Sequence, residues 1–200
     1  MNAYNRSWLL GLLMVITGAS EAVPVIPPNQ DSNQNPVLPT DKRCSLSASH
    51  SVVDYGVISR WQLKDMGAGR VSPGSRSLMV NIVCPYSREM RLRVEGSRNE
   101  QKGLHYGGQG AIRLRLLDAQ LDGNPVDMRT VTSGGVITGN EEHTLTLNSG
   151  QWVAPVMRGR VIDGKMLTVR LVIQPLLGES DVRVTVQQRS ETLLTLTLDE

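Results

Sequence analysis

The chain has 200 residues, of which 40% are hydrophobic and 20% charged, with a net charge of +2. This composition excludes a disordered chain and allows one ordinary domain with tails, while so small a charge does not point to nucleic acid as a partner. There is no Phe, and aromatic residues make up only 4%, so the core must be built from Val, Leu and Ile, which favour pleated sheets.

The first element is a processing signal. Arg6 precedes the apolar run Trp8–Ala19, and Ser20–Glu21–Ala22 supplies a small-x-small cleavage pattern, so residues 1–22 read as a signal peptide. The run is shorter than the about 20 apolar residues that span a bilayer. No second apolar run of comparable length follows, so the mature chain is expected to be exported and to carry no membrane span. Loss of residues 1–22 leaves 20 basic and 18 acidic side chains, so the charge is unchanged.

Residues 23–43 hold five prolines, three asparagines and two glutamines. Proline lacks a backbone donor and fixes φ, so the segment reads as an extended arm rather than a central strand or a helix. Val23 and Val25 share one face of it, and Val37 lies further along. The domain proper is expected over residues 44–200.

Export gives meaning to Cys44 and Cys84. Two cysteines in an oxidising compartment read as one disulfide. A metal or catalytic pair would need His or Cys at ligand spacing, whereas His50, His105 and His143 are scattered.

From Cys44 onward the hydrophobic period is two. Leu78, Val80, Ile82 and Cys84 fall on one face of a run, as do Met90, Leu92 and Val94 of the next. Ile112, Leu114 and Leu116 alternate with Arg113 and Arg115, and Leu167, Val169, Leu171 and Ile173 alternate with Thr168, Arg170 and Val172. Val182, Val184 and Val186 repeat the pattern, and Leu194, Leu196 and Leu198 end the chain with it. Turn signals fall between the runs, among them Ser72–Ser75, Asp122–Pro125, Thr132–Gly135 and Asn148–Gly150. Half-buried antiparallel strands at this spacing predict an all-β, immunoglobulin-like sandwich.

Chemistry is sparse. There is no GxSxG elbow, and the adjacent carboxylates Glu141 and Glu142, like Asp118 and Asp122, read as surface groups. Gly107–Gly110 runs into a strand pattern rather than a helix, so it makes no phosphate cradle. No catalytic residue, metal or cofactor is expected, and the chain is not read as an enzyme. Trp61 and Trp152 are expected to fill the interior of a domain without Phe.

The order of these features resembles the subunits of chaperone–usher fimbriae of Gram-negative bacteria. A signal peptide and a polar arm lead to a Cys at the first strand, then Val53–Asp54–Tyr55–Gly56 with Ile58, and a second strand closing on Cys84. The segment Gly110–Val126 adds a further match. The resemblance implies a sandwich lacking its last strand, structural rather than catalytic, and involved in cell adhesion. It implies a periplasmic chaperone, an outer-membrane usher and other fimbrial subunits as partners. It also implies transit through the periplasm to a surface fimbrium. Donor-strand complementation would then use an arm carrying Val23, Val25 and Val37, and a groove bordered by Leu194, Leu196 and Leu198. Gly56 is expected where the first strand bends between sheets.

The arm alternates few large apolar residues, and the chain ends Asp199–Glu200 without an aromatic residue second from the end. Residues 176–191 also read as an insertion before the last strand. These departures place the resemblance with a divergent, fimbrial-like branch. The competing reading is a self-complete exported surface-binding sandwich of adhesin type, with carbohydrate as one ligand class.

Overall fold

The computed structural model describes residues 41–97, 104–140, 144–184 and 187–199. The signal peptide, residues 23–40 of the arm with Val23, Val25 and Val37, and Glu141, Glu142, His143 and Val186 lie outside the described residues.

The strands are β1 (Ser45–Ala48), β2 (Lys64–Gly67), β3 (Arg70–Ser72), β4 (Arg76–Arg88), β5 (Arg91–Gly96), β6 (Leu104–Tyr106) and β7 (Gly110–Leu121). After them come β8 (Asn124–Pro125), β9 (Asp127–Val131), β10 (Leu145–Leu147), β11 (Trp152–Met157), β12 (Arg160–Val161), β13 (Gly164–Gly178) and β14 (Leu194–Asp199). Every pairing between them is antiparallel. One sheet runs β1–β4–β13–β7, extended by β6, β8 and β10 along β7 and by the β2–β3 hairpin at the end of β13. The other runs β14–β5–β11–β9, with β12 folded back on β11. The result is the expected all-β sandwich of immunoglobulin type.

Alternation explains the core. Val80 and Ile82 of β4, Leu92 and Val94 of β5, Leu114 and Leu116 of β7, and Leu167, Val169 and Leu171 of β13 are all buried and form one cluster. Strands with one apolar face must stack those faces, and two sheets do so with a single dry interior. The alternation slips in places, most plainly in β7. In β7 the buried positions pass from Leu116 to Ala119 and Leu121, because Asp118 takes φ 51° and the register with β13 shifts between Thr168 and Arg170. One extra residue moves the following side chains to the other face.

Four expectations are corrected. The first strand stops at Ala48, and Val53–Gly56 forms no strand. Gly56, at φ 72°, therefore sits in a turn rather than inside a strand, a conformation that glycine adopts without Cβ strain. Cys44 just precedes β1, and Cys84 lies within the fourth strand rather than at the end of the second, because the β2–β3 hairpin intervenes. Val182 and Val184 are in no strand: the turn bonds Asp181 N–H to Gly178 O and Arg183 N–H to Ser180 O curl the backbone there. Lastly, Trp61 is 91% exposed, and Trp152 is only half-buried, on the outer face with Arg93 stacked at 4.4 Å from its ring centroid.

Candidate functional site

The last strand is the least completed part of the fold. In β14, Leu194 faces Gly96, Leu196 faces Val94 and Leu198 faces Leu92 across the ladder with β5. All three leucines pack against the common core. Thr195, Thr197 and Asp199 take the alternate positions opposite Glu95, Arg93 and Arg91. The Arg91–Asp199 ion pair, at 3.0 Å, fixes the end of the register.

Among the described residues β14 pairs with β5 alone and ends its sheet. Its three leucines are consequently only half-buried, while Leu92 and Val94 on the neighbouring strand are fully covered. An edge strand with an apolar inner face and a free row of backbone groups is a template for another strand. The other sheet ends similarly. Among the described residues β1 pairs only with β4, and Leu46 is half-buried against the core. The outward hydroxyls of Ser45 and Ser47 donate to the Val83 and Asn81 carbonyls.

The expected disulfide forms between Cys44 and Cys84, with Cα atoms 4.2 Å apart. It ties the start of the domain to β4 beside β1.

The Val53–Asp54–Tyr55–Gly56 segment is a clamp rather than part of a ladder. Val53 packs on the core. Asp54 Oδ1 accepts the Gly56 N–H at 2.8 Å, closing a local turn of the kind Asp favours. The Tyr55 hydroxyl donates to the Ile173 carbonyl of β13 at 2.7 Å, and Arg76 lies 5.5 Å from its ring centroid. Burial pushes the Tyr55 phenol up to about 12. Burial, then the charge of Asp54, also raises Tyr106.

The following turn is fixed as well. Ser59 and Gln62 form a reciprocal cap around the 3-10 turn Arg60–Gln62. Arg60 and Arg183 both pair with Glu179, at 3.0 and 2.7 Å. The hydrogen bond and charge of Arg183 hold the Glu179 carboxyl below its ordinary range.

Two cavities also open, the second of them beside the β5–β14 ladder. One of about 370 Å³ is lined by Leu116, Ala119, Val126 and Met128, with Asp118 and Arg158 at its rim, but Asp118 is engaged by Arg170. The other, about 400 Å³, lies between Glu95, Ser97, Ser149 and Leu193, and there the Ser149 hydroxyl donates to the Gly96 carbonyl. Neither lining includes a His or Cys. Among the described residues no cluster of three His, Cys, Asp or Glu side chains could hold a metal, and no helix is long and apolar enough to cross a membrane.

Sequence reasoning named Leu194, Leu196 and Leu198 and the Val53–Gly56 segment; the three leucines pack against the common core, and of the segment Val53 alone does. It missed the Ile173 carbonyl and the Arg93–Trp152 stack, whose only sequence signals are a tyrosine in a loop and a register between distant strands.

No protein-family model matches the chain, and no curated protein does. Among solved structures the chain is similar to the P pilus rod subunit PapA, at 16% identity and a TM-score of 0.35, covering 78% of this chain and 97% of that one.

Proposed function

We propose that the chain is a structural subunit of a chaperone–usher-type fimbria with a role in cell adhesion, held to its neighbours by β-strand addition along the free edge of β14. The observation that carries this reading is the half-exposure of Leu194, Leu196 and Leu198, which face the core from an edge strand. An added strand would meet the unpaired backbone groups of β14 and cover those leucines, so main-chain bonds and side-chain burial would act together. The motif order from Cys44 through Val53–Gly56 to Cys84 supports the same reading.

In this reading a periplasmic chaperone covers the edge during export. An outer-membrane usher then passes the subunit to the surface, where the arm of another subunit takes the chaperone's place. The arm residues Val23, Val25 and Val37 are the proposed apolar contacts, and Pro24, Pro27 and Pro28 limit how many donors the arm brings to a ladder. No catalytic step, metal or cofactor enters.

The test is to export the mature chain alone, with a candidate periplasmic chaperone, and with a synthetic peptide of residues 23–40. Alone it should aggregate or be degraded; with chaperone or peptide it should be soluble and melt higher. A stable lone monomer, indifferent to both additions, would mean a self-complete domain.

A further inference from the structure

The cavity of about 370 Å³ is lined from β7, β9, β10, β11 and the turns beside them, with no residue of β1, β5 or β14. Within the two sheets β7 lies two strands away from β1, and β9 stands at the end away from β14. The cavity therefore has no part in strand addition at β14. Its floor is continuous with the core: Leu116, Ala119, Met128 and Leu145 belong to the common cluster, and Val126 packs against it. The volume is at the small end of ligand pockets, and an apolar cavity of only about 150 Å³ can already take up benzene.

Three charged side chains line the cavity, Asp118, Asp127 and Arg158. Asp118 is paired with Arg170, and Asp127 is engaged as well. Arg158 alone of the three makes no hydrogen bond or ion pair among the described residues. It is the charge that the site leaves over.

The backbone at Arg158 is strained. Met157 and Arg160 are register partners, and the two-residue turn between them has Arg158 at φ 51° and Gly159 at φ 74°. Positive φ at both central residues is the hairpin geometry that Asn, Asp and Gly favour, and a residue with a long side chain adopts it at a steric cost. Asp118, at the slip in β7, also takes φ 51°. Of the four non-glycine residues with positive φ among the described residues, these two line one cavity. Strain of this kind gathers at ligand sites, and bulges re-aim side chains beside them.

We infer that this cavity binds a small monocarboxylate with an apolar body, the carboxylate on the Arg158 guanidinium and the body against Leu116, Val126 and Met128. A guanidinium takes a carboxylate through two parallel N–H bonds. A cationic ligand would meet repulsion from Arg158, and a neutral one would leave its donors unused. Binding here is independent of strand addition, since the lining shares no residue with β14 or its partner β5.

The test is calorimetric titration of the mature chain in its soluble form, alone or with a complementing strand, using hydrocinnamate as the probe. Hydrocinnamate should bind saturably at one site per chain, with a Kd of about 10 μM to 1 mM for a ligand of about eleven heavy atoms. The neutral hydrocinnamamide should bind at least about tenfold more weakly. Arg158→Asn should weaken hydrocinnamate at least about tenfold and raise the melting temperature, because Asn suits the turn. Arg160→Gln, exposed in the same hairpin but outside the lining, should bind as the parent does. Ala119→Leu should fill the cavity and abolish binding, with the fold checked by circular dichroism. Absence of saturable binding, equal affinity for acid and amide, or an Arg158→Asn chain that binds as the parent would overturn the inference. So would equal losses in Arg158→Asn and Arg160→Gln, the mark of general charge attraction, or a folded Ala119→Leu chain with parental affinity.

Discussion

The Tyr55 hydroxyl donates to the main-chain carbonyl of Ile173, 118 residues further along, at 2.7 Å. That bond joins a segment outside both sheets to the strand at the centre of the larger one. Arg76 beside the ring and Val53 on the core hold the same segment from two other directions. The Val53–Gly56 turn is thereby a fixed part of the domain, although it contributes no strand.

Tyr55→Phe should cost about 1 kcal/mol, the usual net worth of one hydrogen bond, read as a lower urea midpoint at pH 7. The alkaline limb should change too. The Tyr55 phenol is raised from 10.0 to about 12 by burial, so folding favours its neutral form. This contribution is complete below about pH 10 and is lost as pH rises through about 12. The variant should lose less stability over that window than the parent. Tyr106, raised in the same direction, leaves a residual dependence. Identical pH profiles for parent and variant would count against the clamp.

Removing the disulfide by replacing Cys44 and Cys84 together with Ala should lower stability by about 4 kcal/mol, the chain-entropy value for a closed loop of this length, given the sequence separation of 40. Guanidinium titrations of the double variant and of the parent with reductant should agree. A midpoint unaffected by reductant contradicts this.

Leucines on adjacent strands of the second sheet should differ in sensitivity. Leu92→Ala empties a fully buried site and should cost about 2–5 kcal/mol. Leu196→Ala, on the half-buried edge, should cost nearer 1 kcal/mol in the lone chain. With a complementing strand bound, the Leu196→Ala cost should rise toward the Leu92→Ala value. Equal costs in the lone chain would show that β14 is already covered.

Gly110→Ala should be destabilising by about 1–3 kcal/mol, as overpacking of a filled site generally is. A Cβ at Gly110 would stand 2.7 Å from the Tyr106 carbonyl oxygen and 3.0 Å from that of Leu176. Both belong to backbone flanking β7 and cannot swing away. Gly108→Ala, where a Cβ meets nothing within 4 Å, should stay within about 0.5 kcal/mol of the parent. The contrast is measurable by thermal melts of the two variants.

Local alternation was enough to read the apolar faces of β4, β5, β13 and β14, because side chains in a strand point to opposite faces in turn. It failed at Val182 and Val184, where a turn at Gly178–Asp181 takes the backbone out of any ladder. It also failed at Trp61. Size and hydrophobicity argued for burial, but the residue sits on a turn fixed by Ser59–Gln62 and Glu179, outside the area that the two sheets can cover.

Residue order alone settled the period-two pattern, the all-β class and the one available cysteine pairing, since each depends on side-chain direction along a strand or on simple count. The fold decided which strand stands at an edge, where the Tyr55 hydroxyl finds an acceptor, and that Leu196 is half-covered while Leu92 is sealed. Those outcomes depend on which distant backbones come to lie side by side. The preferences of neighbouring residues carry no record of it, because long-range strand order is set by how two complete sheets close over one core.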